Sequence, residues 1–344
     1  MKSFSDKISI RKPDDMHVHF RQGEILKVCA PESAKWFERA LVMPNTTPPI
    51  NNRERLISYR KEIEEAILIH ENKSFTPLMS FKLYPGMKEE EVIKLSEAGA
   101  IAGKLYPEGS TTNSEDGVKS WEQIKDALPA MSKLGIILSI HGEKPDSFVL
   151  DREKDYLPEL FKIIEHYPDL KIVLEHISSA EGINAVMTGP ANLCATITVH
   201  HLLITLDDLI GLGINPHNFC KPAVKTPKDR EAIKNAALSG NRKFFFGSDS
   251  APHPESLKLK TNGSAGIFSA PAAIPLLVSF FEKNGSQELL ENFTSRYGAE
   301  FYKLPLNKSS ITLERKESKI PERFSDIIPF MAGSAIEWDI SLSR

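Results

Sequence analysis

Along the chain, short apolar runs of strand length alternate with stretches in which apolar positions recur three and four residues apart. Runs near 15–19, 40–44, 77–83, 101–106, 136–141, 171–176, 193–198 and 243–249 read as strands. Eight strands alternating with helical patterns predict a parallel (β/α)8 TIM barrel. Helix signals between them are local. Ile124, Leu128 and Met131 share one face ahead of a stop at Gly135. Thr226 can cap a helix that has Pro227 in its first position and Asp229 in its third, with Ile233 buried and Gly240 at the end. Ser178 and Glu181 have capping-box spacing after the sixth strand. Beyond about residue 304 the periodicity fades, and that stretch reads only as C-terminal packing against the barrel. No internal repeat, low-complexity tract or flexible linker breaks the pattern, so residues 1–344 read as a single domain.

Composition narrows the function classes. With 41% hydrophobic and 26% charged residues the chain is ordinary globular protein. A net charge of -3 leaves no basic footprint for nucleic acid or an anionic membrane. The longest apolar run, Ile274 to Phe281, is too short to span a bilayer, and residues 1–11 lack the apolar core of a secretion signal. Three cysteines, Cys29, Cys194 and Cys220, form no CxxC pair and no even-numbered framework, so a reducing cytoplasm is expected.

The chemistry lies at strand ends. In His17-Val18-His19 the two imidazoles are two residues apart, which on a strand points both to one face. Alone, such a pair is as easily two loop histidines. His141, His176 and Asp249, however, each close a predicted strand, the position from which barrel enzymes present catalytic groups. Histidine and carboxylate donors without thiolates suit a catalytic Zn2+ or a similar divalent ion. Lys104 ends the fourth strand, where an ammonium cannot ligate; the plain alternative is a lysine that reaches solvent or pairs with Glu108.

The segments His17-Val18-His19-Phe20-Arg21, Met43-Pro44-Asn45, Gly103-Lys104-Leu105-Tyr106-Pro107, Thr111-Thr112-Asn113-Ser114, His141-Gly142-Glu143, Glu175-His176-Ile177 and Ser248-Asp249-Ser250-Ala251-Pro252-His253 resemble, in order, the dihydroorotases of the shorter bacterial (class II) type, in the amidohydrolase superfamily. The resemblance runs from Arg11 to about Pro271. It implies two Zn2+ ions: His17, His19 and Asp249 hold one, His141 and His176 the other, with Lys104 carboxylated to N6-carboxylysine as the bridge. Carboxylation turns a misplaced cation into an anion.

By the same resemblance, Arg21 and Asn45 bind the substrate carboxylate, and His141, Lys221, His253 and the backbone of Ala265 add further contacts. Thr111 and Thr112 lie on a loop that closes over ligand. The implied reaction is reversible cyclisation of N-carbamoyl-L-aspartate to (S)-dihydroorotate, the third step of pyrimidine synthesis, by a zinc-bridging hydroxide with Asp249 as proton shuttle. A cytoplasmic homodimer is implied too. Val199 stands where the family pattern has proline. His70, His166, His200, His201 and His217 receive no role. Two other readings share the barrel: a hydantoinase- or allantoinase-like enzyme, which need not keep Arg21 and Asn45, and a non-catalytic assembly partner, which would have lost ligands.

Overall fold

A computed structural model describes residues 6–68 and 74–341; His70 lies outside the described residues. Nine strands come first in chain order: β1 (Lys7–Arg11), β2 (Asp14–Val18), β3 (Arg39–Val42), β4 (Thr76–Lys82), β5 (Ala100–Leu105), β6 (Ile137–Ile140), β7 (Ile172–Leu174), β8 (Leu193–Ile197) and β9 (Phe244–Phe246). Strands β2 to β9 form one eight-stranded sheet in sequence order, every neighbour parallel. The two ends meet just beyond β9. His19 N donates to the Ser250 carbonyl at 2.9 Å and Asp249 N to the His17 carbonyl at 2.8 Å, so the closing seam is itself made of site residues. This is the expected (β/α)8 barrel, with all eight strands at the predicted places.

Strand alternation sorts the side chains. Met16, Leu41, Ala102, Ile137, Val173, Cys194 and Phe245, from seven different strands, pack with Tyr297 and Tyr302 as a floor inside the barrel. Phe244 and Phe246, one position either side of Phe245, belong instead to the larger core beneath the helices. The floor fixes which face of each strand looks inward, and hence which residues further along look into the mouth.

The helix signals hold with two adjustments. Thr226 and Asp229 form a reciprocal capping box on Pro227–Leu238. Gly135, at φ 72°, ends Leu128–Leu134, but Ile124 lies in a separate 3-10 turn, Trp121–Ile124. The expected Ser178 cap is displaced by one: Ser179 caps Ala180–Thr188 and accepts from Gly182 N at 3.0 Å. The reason is Glu153, a buried carboxylate that takes the amides and hydroxyls of both Ser178 and Ser179 and so sets where the helix starts.

The C-terminal region is more than packing. Strands β10 (Ser310–Lys319) and β11 (Ala335–Ile340) join β1 in an antiparallel three-stranded sheet of order β1-β10-β11. Trp338 Nε1 donates to Glu282 at 3.2 Å, and Arg315 both pairs with Glu282 at 2.5 Å and lies 4.5 Å over the Trp338 ring. Glu282 belongs to the buried helix Ala273–Lys283, which contains the longest apolar run. Among the described residues, no helix is long and apolar enough to cross a membrane.

Candidate active site

Lys104, His141 and Glu175 stand two or four positions beyond the floor residues Ala102, Ile137 and Val173, so the period-two pleat turns them inward at the C-terminal mouth. His176 and Asp249 arrive differently. Both adopt left-handed backbone, at φ 39° and 42°, which costs a non-glycine residue and is tolerated where surrounding bonds over-determine it. His176 N donates to Thr196 Oγ1 at 2.6 Å, and Asp249 N to the His17 carbonyl. Gly247 keeps the strand close: a Cβ there would stand 2.9 Å from Thr196 Cγ2 and 3.0 Å from His17 Cβ.

Five predicted metal-site side chains converge in two groups. His19 Nε2 lies 3.1 Å and His17 Nε2 3.4 Å from the same Asp249 oxygen. His141 Nδ1 lies 3.2 Å from His176 Nε2, and the rings of His17 and His176 are 4.9 Å apart, which joins the groups. Lys104 is fully buried, and its Nζ has no hydrogen-bond partner among the described residues. It neither reaches solvent nor pairs with Glu108, which bonds Lys119 instead. Burial drives the Lys104 ammonium down to about 8 against the pull of Glu175 and Asp249. Burial and the Lys104 charge likewise lower His17 to about 4, so its imidazole is neutral and free to present a lone pair.

Three of the four histidines are held from behind, as a ligating imidazole requires, whereas His176 Nδ1 has no hydrogen-bond partner among the described residues. His17 Nδ1 donates to Glu175 at 2.8 Å, His19 Nδ1 to Asn45 Oδ1 at 2.8 Å, and His141 Nε2 to Glu143 at 2.8 Å. Glu175 also accepts from Thr196 Oγ1 at 2.6 Å and from Ser139. Burial alone would raise its carboxyl, but His17 and Lys104 outweigh that and bring it to about 2. Asp15 accepts from His17 N, Ser248 N and Ser248 Oγ, and thereby ties β2 to the turn carrying Asp249. Glu175, Glu143 and Asp15 were given no role from sequence. Glu175 adjoins His176 and Glu143 stands two residues from His141, and that proximity is the one signal in the sequence that marks them.

Over these groups lies a cleft of about 330 Å³, partly open to solvent. Its walls include Arg21, Asn45, Thr111, Thr112, Lys221 and Ala265, together with four of the histidines and Asp249. Arg21, at φ 59°, bonds the Pro252 carbonyl through Nε at 3.2 Å. His253 stands behind it, off the cleft wall: its Nε2 is 3.0 Å from Arg21 Nη2 and 3.1 Å from the Ala265 carbonyl. One tautomer can accept from the first or donate to the second, not both. The Thr111-Thr112 loop folds over the mouth, where Asn45 Nδ2 donates to the Thr112 carbonyl at 3.0 Å and Asn113 Nδ2 to the Asn45 carbonyl at 2.9 Å. Buried Lys82 anchors the same loop through Asn113 O at 2.9 Å and through Asp116.

A barrel whose mouth gathers four histidines, an aspartate and a buried lysine defines a class of metal-dependent hydrolase, and sequence comparison agrees. The amidohydrolase family profile matches residues 14–316. A Helicobacter hepaticus dihydroorotase is 42% identical over 97% of both chains. The crystal structure of a Campylobacter jejuni dihydroorotase superposes with TM-score 0.92 at 40% identity, covering 99% of each chain. A Saccharomyces cerevisiae dihydroorotase solved with 5-fluoroorotic acid gives TM-score 0.91 at 35% identity, covering 97% of this chain and 98% of that one. The chain belongs to the amidohydrolase family and, within it, to the dihydroorotases. It is a metal-dependent cyclic amidohydrolase acting on a small molecule.

Proposed function

We propose that the chain interconverts N-carbamoyl-L-aspartate and (S)-dihydroorotate, with the residues of the barrel mouth in specific roles. The observation that carries this reading is one cleft with two faces: imidazoles and Asp249 on its floor, and Arg21 with Asn45 on its rim. His17, His19 and Asp249, whose donor atoms lie within 4.8 Å of one another, would hold one Zn2+; His141 and His176 would hold the other. Lys104 would bridge them after carboxylation. Its buried, unpartnered Nζ supports this, because a lysine lowered to about 8 keeps enough neutral amine to add CO2.

When bound, the two zinc ions supply Lewis acidity toward the ring carbonyl and an activated water. The protein does the remainder. Asp249 takes the proton of the attacking water and returns it to the leaving ring nitrogen. Burial holds its carboxyl above the usual range, against His17 and Lys104, which makes it a stronger base. The Arg21 guanidinium offers bidentate geometry to the substrate carboxylate. Asn45 Nδ2 adds a donor by leaving the Thr112 carbonyl. Main chain at Lys221 and Ala265, with His253 steadying Arg21, closes the opposite wall, and the Thr111-Thr112 loop excludes water. Synthesis runs these steps backwards.

The reading treats residues 1–344 as one domain, working as a homodimer in the cytoplasm. Three free, buried cysteines fit a reducing compartment, and exposed Ile210, Leu212 and Ile214 offer apolar surface for pairing two copies. The decisive experiment compares kcat/KM for dihydroorotate with that for the neutral rings dihydrouracil and hydantoin, in wild type and Arg21→Met. Wild type should strongly prefer dihydroorotate, and the variant should lose several kcal/mol of transition-state binding toward it alone. An unchanged ratio would remove the carboxylate assignment and leave a hydantoinase-like enzyme.

A further inference from the structure

After β8, Thr198 caps the short helix Val199–Leu203 and turns His200 and His201 toward the segment 219–222, which brings Cys220 to the same place. The three side chains are 0%, 2% and 1% exposed. One donor atom from each lies within 4.8 Å of the other two. Metal bonds of ~2.0–2.3 Å to nitrogen and sulfur set tetrahedral ligand atoms about 3.3–3.8 Å apart, so a small contraction lets the three share an ion.

A second observation is independent of that spacing. Neither ring nitrogen of His200 has a hydrogen-bond partner among the described residues. A neutral imidazole carries a donor and an acceptor, and burying both unpaired is costly unless something occupies the space they face. Its neighbours are rings, His201 at 4.7 Å and Phe330 at 6.3 Å. His201 Nε2 lies 3.2 Å from the Pro222 carbonyl, the outer bond that orients a ligating imidazole, and Nδ1 accepts from the Thr198 hydroxyl at 2.8 Å, a bond that an ion would have to replace. Cys220 Sγ donates to the Pro222 carbonyl at 3.2 Å. Burial pushes that thiol up to about 12, so ion binding must displace its proton.

We propose that His200, His201 and Cys220 form a third metal site, selective for a soft divalent ion of the zinc class and separate from the catalytic pair. Sulfur distinguishes it, since the catalytic donors are nitrogen and oxygen alone. Its role is to pin a cleft wall. Lys221 follows Cys220, and Phe219 O on the other side accepts from Lys258 Nζ at 2.9 Å and from Gly266 N at 2.9 Å, which carries the restraint across to the Ala265 side of the cleft.

Cobalt(II) titration of the full-length, metal-depleted chain tests this. Thiolate-to-cobalt charge transfer gives an intense near-ultraviolet band that nitrogen and oxygen donors do not produce. Wild type should show that band with about one cobalt equivalent more than Cys220→Ser binds. It should persist in Cys194→Ser, whose cysteine lies in the barrel floor, and weaken in His200→Asn. Absence of the band in saturated wild type, or its survival in Cys220→Ser, overturns the proposal.

Discussion

Asp249 and Lys104 show how much of the proposed chemistry rests on where single side chains are buried. The base proposed for the reaction, Asp249, is 5% exposed and sits in left-handed backbone held by the His17 carbonyl. Asp249→Asn keeps the shape and removes the base; turnover should fall by ~10² or more in steady-state assays, even where metal analysis finds the ions retained. Near-normal turnover would place the shuttle elsewhere. Lys104→Ala should lose bound metal along with activity, and bicarbonate or short carboxylic acids should restore part of both by standing in for the missing carbamate. A Lys104→Ala protein with two zinc equivalents and full activity would remove the bridge.

Among the elements, the loop over the mouth is held by two residues at or just beyond the ends of other strands. Asn45 follows β3 and Lys82 ends β4, and both bond the 112–116 stretch. A hydrogen bond to a charged group contributes about 1.5–3 kcal/mol, and the part-buried pair that Lys82 makes with the exposed Asp116 falls at the low end. Lys82→Met should therefore raise KM for dihydroorotate roughly ten-fold or more while zinc content stays constant, because the loop loses its anchor and the metal ligands do not. An unchanged KM would mean that Asn45 and Asn113 hold the loop unaided. Val199 is instructive at this scale too. It occupies the first helical position after the Thr198 cap, where proline is favoured because its missing N–H costs no intrahelical hydrogen bond.

For the whole molecule, buried carboxylates tie strands of the barrel together, and Glu175 is one held well below its ordinary range. Glu175 titrates at about 2 when folded, against an ordinary 4.5. A depressed folded value stabilises the native state fully above about pH 4.5, and that stability is lost as pH falls toward 2. In metal-free protein, urea midpoints measured across this window should drop more steeply for wild type than for Glu175→Gln. Parallel curves would show that Glu175 does not control the acid limit. Restoring zinc at 100 times its Kd should stabilise either protein by about 2.7 kcal/mol, provided that protein still binds it.

The strand and ligand periodicities were legible in the sequence because they are local: a pleat alternates every two residues, so His17, His19, Lys104 and His141 could be placed at strand ends from spacing alone. The capping box of Thr226 and Asp229 is local in the same sense. What only tertiary structure decided is the company these residues keep. Glu175 meets His17 across 158 positions and Asp15 meets Ser248 across 233, separations at which no periodicity carries information. Glu153 moved a helix start by one residue for the same reason. The sheet of β1, β10 and β11 was not legible because β10 alternates only at Ile311 and Leu313 before a charged, largely exposed half, too short a run to mark a strand. His200 and Cys220 look unremarkable in sequence; closure of the barrel and the path of 219–222 bring them together, and burial leaves both His200 ring nitrogens without a hydrogen-bond partner among the described residues.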